Sequence, residues 1–240
     1  MKIYAATLKG SEHYENEDRI IVGKTILSMG SFEAEMDSGL LAIADGVGGQ
    51  NAGAVASGFI ASEISQLNEV NIEALKAINE ALIEKSNSDI SLNGMATTLS
   101  ALFVSDKKIV YHVGNSRIYH LKSGKYLRQL TDDDTSVNFL VSTGRLSIGE
   151  AENYEHKNQI TACFGSGDSS LLRIKTADAS NYDNAVFIFT TDGIHDYVSL
   201  DDLESVFSEN TGYADICKKV ITLAEKSGSM DDKSIMIGVM

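Results

Sequence analysis

LLAIADGVGGQNAG, residues 40–53, begins as an apolar run, ends that run on Asp45, and continues through Gly46, Gly48 and Gly49. A short run of Leu, Ala and Ile predicts a buried strand over 40–45. The same shape recurs in VFIFTTDG, residues 186–193, where an apolar run ends on Asp192 and Gly193. Two more acidic positions border predicted strands: Glu17-Asp18 in ENEDRIIV and Asp231-Asp232 in MDDKSIMIGV. Strand ends are where packed sheets gather residues that are distant in sequence. Carboxylates gathered without basic partners repel one another, and a bound cation removes that penalty. All-oxygen ligands favour Mg²⁺ or Mn²⁺ over zinc or copper. The Gly46 carbonyl has no side chain to obstruct it and is a further candidate ligand. Asp-Gly is also a frequent hairpin-turn pair, so these residues alone leave a turn and a metal site both open. GVGGQN does not match GxGxxG, and no GK[ST] follows, which argues against a nucleotide-phosphate loop.

Outward from this stretch, strands are predicted at 2–8 and 18–27. A helix follows over 51–67, with Asn51 as its N-cap. A second helix covers 71–86, where Ile72, Leu75, Ile78 and Leu82 follow helical spacing. Residues 97–130 are rich in Val, Ile, Tyr and Leu, with turn signals at SDKK, GN and SGK, and read as an antiparallel meander. Residues 131–168 have mixed polarity and read as a flap-like surface excursion with a helical stretch near 135–143. Strands at 171–175 and 185–191, helices at 200–208 and 212–227, and a closing strand in KSIMIGVM complete the chain. Helix pairs alternate with blocks of antiparallel strands. The expected class is α+β: a four-layer α-β-β-α sandwich of two antiparallel sheets, each covered by a helix pair.

The chain has 240 residues, of which 43% are hydrophobic, enough for one substantial core. A single domain over 1–240 is expected. The formal net charge of −14 disfavours a nucleic-acid partner. The two cysteines, Cys163 and Cys217, have no CxxC spacing and read as core residues rather than a disulfide framework or zinc site. The opening MKIYAATLKGSEHYENED lacks the apolar core of a signal peptide, and no later run is long enough to span a bilayer, so a soluble, cytoplasmic protein without a membrane partner is expected. There is no proline, so turns fall to Gly, Asn, Asp and Ser.

The set and order of ENED, LAIADGVGGQNAG, HVGNSRIYHL, TTDGIHD and DDKS resembles the metal-dependent protein phosphatases, the PPM or type 2C family, in its bacterial form. The resemblance runs from about residue 4 to residue 240. It implies the α-β-β-α sandwich and hydrolysis of phosphoserine and phosphothreonine on proteins, the substrates of a Ser/Thr kinase. It also implies two Mn²⁺ or Mg²⁺ ions and a hydroxide held between them that attacks phosphorus in line. By motif, Asp45 corresponds to the carboxylate that bridges both metals. Asp192 and Asp231 complete one position with it; the Gly46 carbonyl and Glu17 serve the other; Asp18 orients metal-bound water.

The departures concern substrate grip and a third ion. The family's phosphate-clamping Arg is His13 here, with Lys9 as an alternative clamp. GDSR reads GNSR, so Asn115 replaces an Asp linked to a third, weaker metal, while Asp196, also associated with that ion, is present. The DN of the last motif is DD, with Asp232 in the Asn position, Val47 follows the first Asp-Gly, and TRDHS has become TDDDT. His112 and His120 read as structural. His195 sits between Asp192 and Asp196 where the family usually has an apolar or aromatic residue, and Arg117 is expected to hold a loop or an acidic neighbour. Two other readings stay beside the phosphatase: a degenerate domain that binds phosphoproteins without efficient turnover, and a hydrolase of a small phosphorylated metabolite.

Overall fold

A computed structural model describes residues 1–47, 52–151, 153–182, 184–209 and 211–240. The expected Asn51 cap lies outside the described residues. Strands β1 (Lys2–Leu8), β2 (Asp18–Val22), β3 (Thr25–Leu27), β4 (Gly30–Glu35) and β5 (Gly39–Val47) precede helices α1 (Ala52–Ser65) and α2 (Ile72–Ser88). The middle holds β6 (Ala96–Thr97), β7 (Leu99–Val104), β8 (Lys108–Val113), β9 (Arg117–Lys122) and β10 (Tyr126–Gln129), then α3 (Ser136–Ser142) and α4 (Ile148–Ala151). The last part contains β11 (Lys175–Asp178), β12 (Val186–Thr190), α5 (Asp192–His195), α6 (Leu200–Ser208), α7 (Tyr213–Lys226) and β13 (Lys233–Val239).

Among the described residues these strands form two antiparallel sheets. One has the order β10-β9-β12-β13-β1-β4; the other runs β11-β8-β7-β5-β2-β3, with β6 on β5. Side chains alternate along each strand, and the alternation builds three apolar layers. Ile3, Ile20, Leu41, Ile43, Phe187, Phe189 and Met236 pack between the sheets. Leu40, Ala42 and Ala44, the alternate set on β5, meet Ile60, Ile64, Leu75 and Leu82 of α1 and α2. Ile188, Ile235 and Ile237 meet Val206, Phe207, Val220 and Ala224 of α6 and α7. This is the expected α-β-β-α sandwich.

Local differences from the sequence reading have physical causes. The single strand expected at 18–27 is a hairpin, because Gly23 adopts φ +57 and reverses the chain between β2 and β3. The segment after it, GSFEAE, forms an edge strand on β1; its charged, exposed side chains carry little apolar signal. The 97–130 meander does not stay in one sheet. It crosses at Gly114 (φ +106), leaving β7 and β8 in one sheet and β9 and β10 in the other. The strand expected at 171–175 lies at Lys175–Asp178, after a single 3₁₀ turn at Ser169–Leu171. Helix α2 is capped by Asn71, whose side chain accepts from the Ala74 amide.

The 131–168 excursion is anchored at both ends. Thr131, Asp133, Thr135 and Phe164 are buried, Thr135 bridges to Ile160, and Thr97 to Phe164. Only the part between, which carries α3 and α4 with Phe139 and Ile148 exposed, stands out from the body. Neither cysteine is in a disulfide. No described helix is long and apolar enough to cross a membrane.

Candidate active site

Strand alternation places the acidic residues. Asp18 has the parity of Ile20 and Val22, and Asp45 that of Leu41 and Ile43, so both continue the inter-sheet face beyond its apolar part. They are direct cross-strand partners on β2 and β5. From the opposite sheet, β12 ends at Thr190 and delivers Asp192 at the start of α5, while Asp231 and Asp232 immediately precede β13. One end of the sandwich thus collects carboxylates from four separate segments.

The charged neighbours acting on Asp45 are Asp192, Asp18 and Asp231, all carboxylates; loss of water first, then these neighbours, hold its carboxyl well above the ordinary range. Asp18 is 1% exposed and is raised well above its usual value by burial, against hydrogen bonds that favour the anion. Those bonds come from Thr191 Oγ1 (2.8 Å) and Ser234 Oγ (2.7 Å), both to Oδ2. Its Oδ1 is buried with no protein partner. Burial and then Asp192 push Asp231 up to about 6. Burial raises Glu17 as well, against the pull of His13 and the Ala54 amide in the first turn of α1.

The Glu17 position depends on two glycines. A Cβ on Gly46 would lie 2.2 Å from the Gly53 carbonyl oxygen, and one on Gly53 would lie 2.1 Å from Glu17 Oε2. With no side chain at either, the end of β5, the start of α1 and the Glu17 carboxylate close on one another.

Asp232 is a hub. Its Oδ1 accepts from the Gly10 amide (2.7 Å) and its Oδ2 from the Glu17 amide (2.7 Å). His13 Nδ1 lies 3.0 Å from the same Oδ2 and 3.8 Å from Asp231 Oδ1. Lys9 Nζ donates to the Gly10 and His13 carbonyls at 2.7 and 2.8 Å, so both residues considered as phosphate clamps have partners within the protein. Asn115 Nδ2 donates to Asp192 Oδ2 at 2.9 Å, while Asn115 Oδ1 is buried and unpartnered. Asp196 lies at the rim. Desolvation, then Asp192, push its carboxyl up to about 7, and with Asn115, Asn138, Ile148 and Lys157 it lines a cleft of about 330 Å³ beneath α3 and α4.

The remaining singled-out residues have partners within the protein. Arg117 grips Asp133 with Nε and Nη2 at 2.9 and 2.6 Å from Oδ2, pinning the base of the excursion. His112 bridges Ser100 Oγ (2.8 Å) and the Asp132 carbonyl (3.0 Å). His120 packs against Tyr182 with the rings tilted by 51°, and His195 Nδ1 meets Thr190 Oγ1. Sequence reasoning missed the supports. Asn16 accepts from the Asp18 amide and donates to Thr7 Oγ1. Lys233, 2% exposed, donates to the Asp231 and Ser229 carbonyls. Its place directly beside Asp231-Asp232 was the available signal.

These groups fit divalent cations. The donors are oxygens, the carboxylates crowd one another, and a buried Asp18 oxygen lacks a partner. The geometry therefore defines a class: an α-β-β-α sandwich whose sheets converge on a cation-seeking carboxylate cluster.

Comparison with known proteins narrows that class. The sequence matches the family described as Protein phosphatase 2C over residues 30–233. The protein phosphatase PhpP of Streptococcus pneumoniae is 28% identical over 210 residues, covering 82% of this chain and 84% of its own. The Mycobacterium tuberculosis serine/threonine phosphatase PstP/Ppp superposes with a TM-score of 0.83 at 26% identity, over 100% of this chain and 99% of that one. The PstP catalytic domain in complex with two manganese ions gives 0.76 at 25% identity, over 99% and 98%. The chain belongs to the protein phosphatase 2C family and is a bacterial PPM-type serine/threonine protein phosphatase.

Proposed function

We propose that this chain removes phosphate from phosphoserine and phosphothreonine on proteins with two Mn²⁺ or Mg²⁺ ions, working as one domain over 1–240. The observation that carries the reading is the convergence of Asp18, Asp192 and Asp231 on Asp45. The manganese-bound PstP neighbour supports it. When bound, the ion pair supplies an acidified water and neutralises charge on the attacking and leaving oxygens.

The residue roles are those that the family resemblance implies, and the crowding of these carboxylates supports them. Asp45, central to the cluster, serves both ion positions. Asp192 and Asp231 join it on one side, the Gly46 carbonyl and Glu17 on the other. Asp18, fixed by Thr191 and Ser234, orients the attacking water. Asp196 serves a third ion, with the Asn115 amide in place of a carboxylate. His13 and Lys9 mark the substrate end of the cluster. The excursion carrying α3 and α4 acts as a flap over the cleft and contributes to the choice of protein substrate. The substrates are products of a Ser/Thr kinase, met in the cytoplasm.

The test is phosphate release from phosphothreonine peptides and from a panel of phosphorylated metabolites, with and without Mn²⁺. Metal-dependent turnover of the peptides is expected, with Asp45→Asn inactive. Binding of phosphopeptides without turnover at saturating Mn²⁺ would reject the reading.

A further inference from the structure

His13 stands on the loop between β1 and β2, and its imidazole faces two carboxylates. Nδ1 is 3.0 Å from Asp232 Oδ2 and 3.8 Å from Asp231 Oδ1. One ligand atom from each of the three residues lies within 4.8 Å of the other two. The loop is held in this position. Asp232 takes the Gly10 and Glu17 amides, the Met230 carbonyl takes the Ser11 and Glu12 amides, and Lys9 closes onto the Gly10 and His13 carbonyls.

An imidazole in this setting is poorly placed for an anion, since a phosphate reaching Nδ1 meets both carboxylates. It is well placed for a cation. Neighbouring ligands around an ion at about 2.1 Å lie roughly 3.0 Å apart in octahedral geometry and roughly 3.4 Å apart in tetrahedral geometry. The Asp231 Oδ1 separation of 3.8 Å lies a few tenths of an ångström beyond the tetrahedral spacing, so a small closing of the His13 loop brings both atoms onto one ion. Neither Arg nor Lys offers a lone pair to a metal at working pH; a neutral imidazole does.

We propose that His13 is a nitrogen ligand of the ion held by Asp231, and that it biases this position from Mg²⁺ towards Mn²⁺ and other transition ions. The inference rests on the two-ion reading of the site. The bond formed is from Nδ1 to the metal; the Nδ1 hydrogen bond with Asp232 Oδ2 is given up, and any proton on Nδ1 leaves to solvent. Imidazole nitrogen favours transition ions over Mg²⁺, which prefers oxygen. The substitution that sets this chain apart from its family's motif then changes metal choice as well as substrate grip.

Pulsed EPR on the Mn²⁺-loaded full chain tests this directly. Wild type is expected to show ¹⁴N modulation that becomes ¹⁵N modulation in histidine-labelled protein. His13→Ala and His13→Arg lose it. Calorimetry on the same proteins reads metal choice: the Mn²⁺-over-Mg²⁺ preference drops about tenfold in His13→Ala, while Mg²⁺ affinity holds. Two Mn²⁺ per chain with no histidine coupling overturns the proposal and leaves the two-ion reading intact. A nitrogen signal that persists in both variants also overturns it. Fewer than two Mn²⁺ per chain in wild type overturns the two-ion reading and this proposal with it.

Discussion

Asp45 and Asp18 sit opposite one another on adjacent strands, like charges in a position that ordinarily costs stability. Asp45→Asn removes one charge from the cluster, so metal-free protein should melt at the same temperature or higher while Mn²⁺-dependent turnover disappears; calorimetry in EDTA and a peptide assay read the two effects separately. Asn115→Asp acts in the opposite direction. It removes the amide that donates to Asp192 and adds a carboxylate there. We expect about 1–3 kcal/mol of destabilisation without metal and an additional weak Mn²⁺ site by calorimetry. Unchanged stability in EDTA would show that the Asn115 amide does not support Asp192. At this scale the gathering of the carboxylates was legible: Asp45 and Asp192 each end an apolar run, and their motifs fix their order. The partners of His13 were not legible. Nothing local in the sequence brings residue 13 to residues 231 and 232; the pairing of β1 with β13 and the loop hydrogen bonds to Met230 and Asp232 do.

At the scale of elements, β5 and α1 meet through Gly46 and Gly53, and the two positions predict different outcomes. A Cβ at 46 meets only backbone, the nearest atom at 2.2 Å, whereas one at 53 meets first the buried Glu17 carboxyl at 2.1 Å and then the Gly46 backbone at 2.8 Å. Gly46→Ala should cost about 1–3 kcal/mol. Gly53→Ala should cost less stability yet weaken Mn²⁺ binding by displacing Glu17; thermal melts and calorimetry on both variants check this contrast. The excursion supplies another test. Arg117→Lys keeps the charge but loses the two-pronged grip on Asp133. Hydrogen exchange should speed several-fold across α3 and α4 while the strands stay protected, and equal protection of both would contradict a flap there. The core helices were readable from their apolar spacing. The β2–β3 hairpin and the crossing at Gly114 were not, since each hangs on one glycine with positive φ inside a run of strand-forming residues.

For the whole molecule, the carboxylate cluster couples folding to pH and metal. Asp45 and Asp18 lie well above their ordinary values, and Asp231 is at about 6. A raised folded-state pKa means the folded chain holds protons more tightly than the unfolded one. The stability from these groups is therefore complete below about pH 4 and lost as pH rises through 6 and beyond. Asp196, exposed at the rim, adds little, because solvent screens it. Melting temperature in EDTA should fall by several degrees from pH 5.5 to pH 8. Mn²⁺ at one hundred times its Kd should restore about 5–10 °C, most of it at the higher pH. Comparing the two curves cancels groups remote from the site, and parallel curves would mean the cluster does not bind the ion. The pairing of β1 with β13 carries a consequence for synthesis. A ribosome makes β1 first and β13 after every other described element, yet the two are neighbours inside one sheet. Until β13 emerges, β12 and β1 have no strand between them, and Asp231 and Asp232 are not yet in place. A nascent chain stalled before residue 231 would thus expose unpaired strand edges and have no phosphatase activity until β13 has emerged and paired.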